Sequence, residues 1–428
     1  MVPYLLVAAI MFAMNAPEAA ARGPELWVSP AGDDSAPGTR ERPWRTLARA
    51  AKAAGPGDTV LLSTGTWTER LVPTRSGTAA APIVFAAAPG ATPVIEGKDI
   101  KLDDGFAGLV HMEGLSWIEV RGLNIRNAGP GELAAAGSKA AGPPASLAAG
   151  VMARRCEHIT VRNCRTAGTN SSGIGIWFSK AVMVEGNDVT DACRDGSQEC
   201  ISVAGCDGFE IAGNTVHDCV NGKSGGEGID AKHSARGKIH GNVVHHTRRL
   251  GIYVDAWDFH MVDVEVYDNL VYETQSNGYA LAAEDNGTLE NVRFHDNVAF
   301  RNAHVGLTLA DWGEKVPHHG LTDIIVEHNT FIENGKGWGG GIRIDNAEAE
   351  GIVVRDNLVA NNGSGQIIVD KKPKSLVIAH NFVTAPGEDE KGETAGERPV
   401  VGVPRYRFTP ESGLVLEPGS PGEGFGAR

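Results

Sequence analysis

Two short runs, GIDAK (228–232) and GIYVDAWD (251–258), carry the side chains best suited to chemistry in this chain. Read as β-strands, successive side chains alternate faces, so Asp230 and Lys232 share one face and Ile229 and Ala231 the other. Tyr253, Asp255 and Trp257 make the matching row on the second run. A lysine among carboxylates can act as a base only where burial or a nearby cation depresses its pKa. Asp255 alone pushes Lys232 the other way. Alternatively, Asp230 and Asp255, one strand and two residues apart, lie on a diagonal of about 8 Å. That falls within the range of roughly 6.5–9.5 Å used by inverting glycoside hydrolysis. The same row could also bind sugar without turnover, and Lys232–Asp255 could be no more than a solvated ion pair. Glu199, Glu227, His233 and Asp258 flank the strands, and Glu284, Asp285 and Asp311 follow further along. Trp177, Trp257 and Trp312 offer sugar-stacking faces.

The elements that must position these residues repeat. Eight asparagines, Asn187, Asn214, Asn242, Asn269, Asn297, Asn329, Asn357 and Asn381, each follow a short β-branched strand, at spacings of 24 to 32 residues. Leu123 and Cys164 take the same place in earlier repeats. An Asn recurring once per turn can bond its own bend and the next Asn, satisfying backbone groups that a tight corner leaves open. The pattern predicts an all-β solenoid with one coil per repeat. A second strand in each coil, usually announced by Gly, builds two outward columns. One reads Gly175, Ser202, Asp230, Tyr253, Ala280, Thr308, Arg343; the next reads Trp177, Ala204, Lys232, Asp255, Ala282, Ala310, Asp345. Charge concentrates on two adjacent coils, with insertions at 129–150, 191–199 and 310–320 expected to wall a groove.

With the repeat and the GIDAK strand in view, the chain resembles the right-handed parallel β-helix (pectin-lyase-like) superfamily, which includes secreted polysaccharide lyases and some glycoside hydrolases. Some members carry a Gly-x-x-x-Lys strand whose lysine is the base, beside aspartates that hold calcium. The resemblance implies Lys232 as base, Asp230, Asp255 and Glu227 as ligands of Ca²⁺, and Tyr253, Trp257, Trp177, Trp312, His233 and Arg343 as substrate contacts. The strand after GIDAK lacks the run of adjacent aspartates expected of the calcium cage.

Composition narrows the partners. A net charge of −14, spread along the chain, argues against nucleic acid, which needs clustered Lys and Arg. It is also awkward for a polyanionic sugar unless a cation intervenes. Residues 1–21 read as a signal peptide without a basic n-region, and no later run is long enough to span a membrane. An exported monomer acting on a polysaccharide is expected, secreted or periplasmic. In that compartment the six cysteines, all within 156–219, suggest disulfides, with Cys193–Cys200 a short link and reduced core cysteines the alternative. The expected organisation is a cap and first coils over 22–93, opened by a helix at about 46–54, then the β-helix over 94–385. A tail over 386–428 is expected to pack loosely on the last coils.

Overall fold

The computed structural model describes residues 23–102, 107–129, 148–194, 198–221, 225–312, 320–336, 338–384, 400–410 and 412–427. The expected leader in 1–21, the tail segment 387–397 and residues 130–147, 195–197 and 313–319 of the three insertions lie outside them.

Short strands of β-branched residues wind into three parallel sheets of 13, 13 and 10 strands, a right-handed β-helix. The bend between first and second sheets explains the residue before each ladder Asn. Gly186, Gly213, Gly241, Asp268, Asp296, His328, Asp356 and His380 all have φ between 52° and 62°. Left-handed backbone is open to Gly and, among other residues, most readily to Asp, Asn and His. KIHGNVV is therefore two strands, Ala235–His240 and Val243–Thr247, with Asn242 in the bend.

The Asn ladder is continuous. Asn242 donates Nδ2 to the Ile211 carbonyl and to Asn269 Oδ1, both at 2.9 Å, while its own Oδ1 accepts from Asn214. Each rung repeats this pattern down to Asn381, and Cys164 occupies the first rung, its N–H donating to Asn187 Oδ1 at 3.0 Å. A second ladder was not anticipated. Asn302, Asn334 and Asn362, each five residues past a ladder Asn, stack at the next corner. The signal was present in NVAFRN, NTFIEN and NLVANN.

Alternate side chains fill the bore as one apolar core. The helix Leu47–Ala53, capped by Thr46, sets Leu47, Ala50 and Ala51 against its first end. Along the outer face of the second sheet the tail packs more closely than expected. Its hairpin, Tyr406–Thr409 and Gly413–Leu416, lays Tyr406, Phe408 and Leu414 on an outward stripe of Tyr272, Phe300, Ile332 and Leu358. The disulfide expectation is corrected: all six cysteines are free thiols buried in the stack. Their side chains fill apolar space, and burial pushes Cys164 and Cys206 up to about 12.

Candidate functional site

The third sheet carries the site. Its strands Ile201–Ala204, Ile229–Lys232, Ile252–Trp257, Tyr279–Glu284 and Leu307–Asp311 stack in parallel, and both outward columns form in the expected register. Asp230 lies beside Tyr253, and Lys232 beside Asp255.

The depth of these groups differs from an open groove. Asp230 is 1% exposed and Asp255 fully covered. The outer face of this sheet is itself apolar on either side of the acids. Ala149, Met152, Trp177 and Ala204 pack on one flank, and Leu250, Tyr253, Ala280, Ala282, Ala310 and Trp312 on the other. The Asp230 coil lies between these flanks, and Asp255 sits on the first coil of the second flank beside Leu250 and Tyr253.

Their electrostatics follow. Lys232 Nζ lies 2.7 Å from Asp255 Oδ2 and 4.7 Å from the centroid of the Trp257 ring, its side chain 24% exposed. Burial alone would depress the ammonium, but Asp230, Asp255 and Glu199 outweigh it and hold Lys232 above an ordinary lysine. Burial pushes Asp255 up to about 7 despite Lys232, with Glu284 adding to the push. Burial, then the charges of Glu199 and Asp255, push Asp230 well above the carboxylate range. Asp230 Oδ1 has no hydrogen-bond partner among the described residues. Glu227 rises to about 6 through burial, although Arg249 Nε lies 3.0 Å away.

Glu284 belongs with this group more closely than its sequence position suggested. Its backbone is level with Trp257, and Tyr253 donates its hydroxyl to Glu284. Asp230, Asp255 and Glu284 thus form a staircase, each one coil on and two residues further along the strand. Each step spans about 8 Å. Trp257, 44% exposed, stands at the open end with its indole N–H on Asp285.

The other expected contacts divide. Trp312 packs edge-on against Tyr253, ring centroids 5.4 Å apart, at the border of the site. His233 bonds the Trp257 carbonyl through Nδ1 and stacks on Phe259. Trp177 is no open platform: it is buried, and its N–H donates to Ser202. Arg343 lies three coils from Tyr253, ion-paired to Asp370 and over Trp338. Calcium takes six to eight oxygen ligands. Among the described residues no three His, Cys, Asp or Glu side chains are grouped to hold a metal ion. Asp255 is engaged by Lys232 and Glu227 by Arg249, so the site as built offers no calcium cage.

The raised Glu227 sets a pH dependence. A carboxyl whose folded pKa exceeds its unfolded value adds stability that is full below about pH 4.5 and lost as pH rises through about 6. The span is worth about 2 kcal/mol. Glu227→Gln should remove that slope from thermal unfolding measured between those pH values. An unchanged slope would place the titration elsewhere.

Three long parallel sheets around one apolar bore, with titratable groups outward on one of them, define a parallel β-helix protein. The chain belongs to the Pel9A-like right-handed β-helix family, whose model matches residues 26–316. It is 26% identical over 366 residues to the uncharacterised protein YwoF of Bacillus subtilis (strain 168), covering 80% of this chain and 76% of that one. It is 25% identical over 317 residues to pectate lyase PEL9 of Emericella nidulans, covering 66% and 69%. The crystal structure of pectate lyase Pel9A shares the fold at 17% identity, with a TM-score of 0.51 over 84% of this chain and 78% of that one. Among the described residues no helix is long and apolar enough to cross a membrane.

Proposed function

We propose that this chain is an exported carbohydrate-active enzyme that hydrolyses a glycosidic bond over the third sheet. The observation that carries the reading is the carboxylate staircase, with Asp255 at about 7 while Lys232 is held as an ammonium. Asp255, half protonated near neutral pH, donates a proton to the leaving oxygen. Glu284, one coil on and partly exposed beside Trp257, takes the proton of the attacking water. Their diagonal of about 8 Å leaves room for that water and predicts inversion. Asp230 makes the same diagonal with Asp255 but is sealed below Lys232, so it tunes the pair rather than touching substrate. Lys232 moves from Asp255 onto a sugar oxygen as substrate enters, baring the acid. Six carboxylates, Glu199, Glu227, Asp230, Asp255, Glu284 and Asp285, against Lys232 and Arg249 favour a neutral stretch of glycan over a polyuronate.

β-Elimination on a uronate, with Lys232 as base, is the second reading. The GIDAK strand and the likeness to a pectate lyase favour it. It requires Lys232 to lose the proton that its carboxylate neighbours hold in place.

One experiment separates the two. The protein is incubated with neutral and acidic polysaccharides, with and without calcium, following reducing ends and the ultraviolet absorbance of an unsaturated product. New reducing ends without that absorbance are expected. Absorbance abolished by Lys232→Ala would establish elimination, and its calcium dependence would reveal a metal. Glycan binding without either product would make the chain a binding protein.

A further inference from the structure

The first sheet has an outward column of its own, and it is interrupted. Trp117, His158, Ala181, Gly208 and Arg236 stand in register on five successive coils, all left-handed with φ between 49° and 74°. Their side chains rise along one line, except that two adjacent positions carry a methyl group and a hydrogen. A Cβ added at Gly208 would meet only Ala181 backbone, at 3.7 and 3.8 Å. The gap opens a cavity of about 540 Å³, floored by Thr160, Met183, Glu210 and Lys238. His158 and Arg236 are three strand spacings apart, about 14 Å.

The two ends differ in chemistry. At one, the Trp117 and His158 rings stack 3.6 Å apart and 13° from parallel, a flat aromatic wall facing the gap. At the other, the side chains of Arg236 and Lys238 are 56% and 55% exposed. The acids nearby are engaged: Glu210 with His240 at 2.9 Å, and Glu119 with Arg121 and Arg162. Arg236 is paired with Asp207 at the rim, and Lys238 is held only loosely, 3.6 Å from Glu265. Within a chain of net charge −14 this notch offers two exposed cations, with Lys238 the less tightly held.

We propose that the notch binds one uronate residue of a polysaccharide, away from the carboxylate staircase. The apolar face of the pyranose lies on His158, backed by Trp117, and its carboxylate points to Arg236 and Lys238. The volume lies within the roughly 300–1,000 Å³ usual for small-ligand sites, and one ring wall with a few convergent polar groups is their common make-up. The two carboxylates lining the notch, Glu119 and Glu210, are both taken up in ion pairs, so the site holds sugar without turning it over.

The test is binding, measured by titration calorimetry with hexagalacturonate and with cellohexaose as neutral control. The acidic oligomer should bind the native chain and Asp255→Asn alike, and the neutral one at least about tenfold more weakly, a difference of about 1.4 kcal/mol. His158→Ala, and separately Ala181→Leu, which fills the gap, should each weaken binding of the acidic oligomer by about tenfold or more. Circular dichroism would confirm that both variants keep the native β-signal. Binding that survives both variants, or equal affinity for the two oligomers, would overturn the assignment. So would loss of binding in Asp255→Asn alone, which would place the sugar in the third-sheet site.

Discussion

Asp255→Asn is expected to lower kcat on the cleaved glycan by a factor on the order of 10²–10⁴, the usual contribution of a positioned acid or base. Glu284→Gln should fall in the same range. Asp230→Asn, altering a covered group that tunes its neighbour, should cost far less and shift the pH optimum instead. The ordering carries the mechanism. If Asp230→Asn is as damaging as Asp255→Asn and Glu284→Gln is not, the working pair is Asp230/Asp255. A stability control is needed because Asp255 is wholly buried against Lys232. Removing one partner of a buried pair costs about 3–5 kcal/mol where the other stays covered, and less here because Lys232 can reach water. The double variant Asp255→Asn/Lys232→Met removes the stranded ammonium. It should regain thermal stability while staying inactive, separating the chemical role from the structural one.

Asn242→Ala is the second large effect, and it falls on folding. The substitution strips partners from the Ile211 carbonyl, from Asn269 Oδ1, and from the backbone and side-chain amides of Asn214. Each buried polar group left unmade costs about 1–3 kcal/mol, so a loss of about 3 kcal/mol or more is expected. Urea unfolding followed by circular dichroism would measure it. Because each coil touches only its neighbours, the transition should also broaden as the two halves uncouple. Cys164→Ala, at the first rung where only one neighbouring Asn is bonded, should cost clearly less. Equal costs would mean that the ladder is not what ties the coils together.

The ladder was legible because it is redundant: eight asparagines repeat one solution to one corner, and any one of them predicts the next. The column register was legible for the same reason, since parallel stacking leaves no freedom once Gly228 and Gly251 are aligned. The site was harder to read. Asp230 and Asp255 alternate correctly, but alternation tells which way a side chain points and not what lies over it. Around them Leu250 and Tyr253 of one coil gather with Trp312 of another. Glu284 was seen only as lying further along, because its bond to Tyr253 joins residues whose partnership requires knowing both coils. The cysteines misled because the compartment expected for the chain argued for disulfides. In the fold they serve as small apolar fillers, one of them standing at an asparagine's place. The pKa of Lys232 was the most open quantity, since burial and its carboxylates act in opposite directions and only their distances decide the sign.

The diagonal of Asp230, Asp255 and Glu284 has a consequence for how this chain can change by insertion and deletion. Adding or losing one residue inside Ile252–Trp257 would turn Asp255 into the bore and Ala256 outward, destroying the staircase and the core together. Adding a whole coil preserves every face and every ladder bond. Such a coil is tolerable before Ile229–Lys232 or after Tyr279–Glu284, but between them it would part the carboxylates by a further strand spacing. Over these three coils the repeat therefore loses its interchangeability: a solenoid whose units could otherwise be duplicated or dropped has a stretch where the count is set by the width of a single chemical bond being broken.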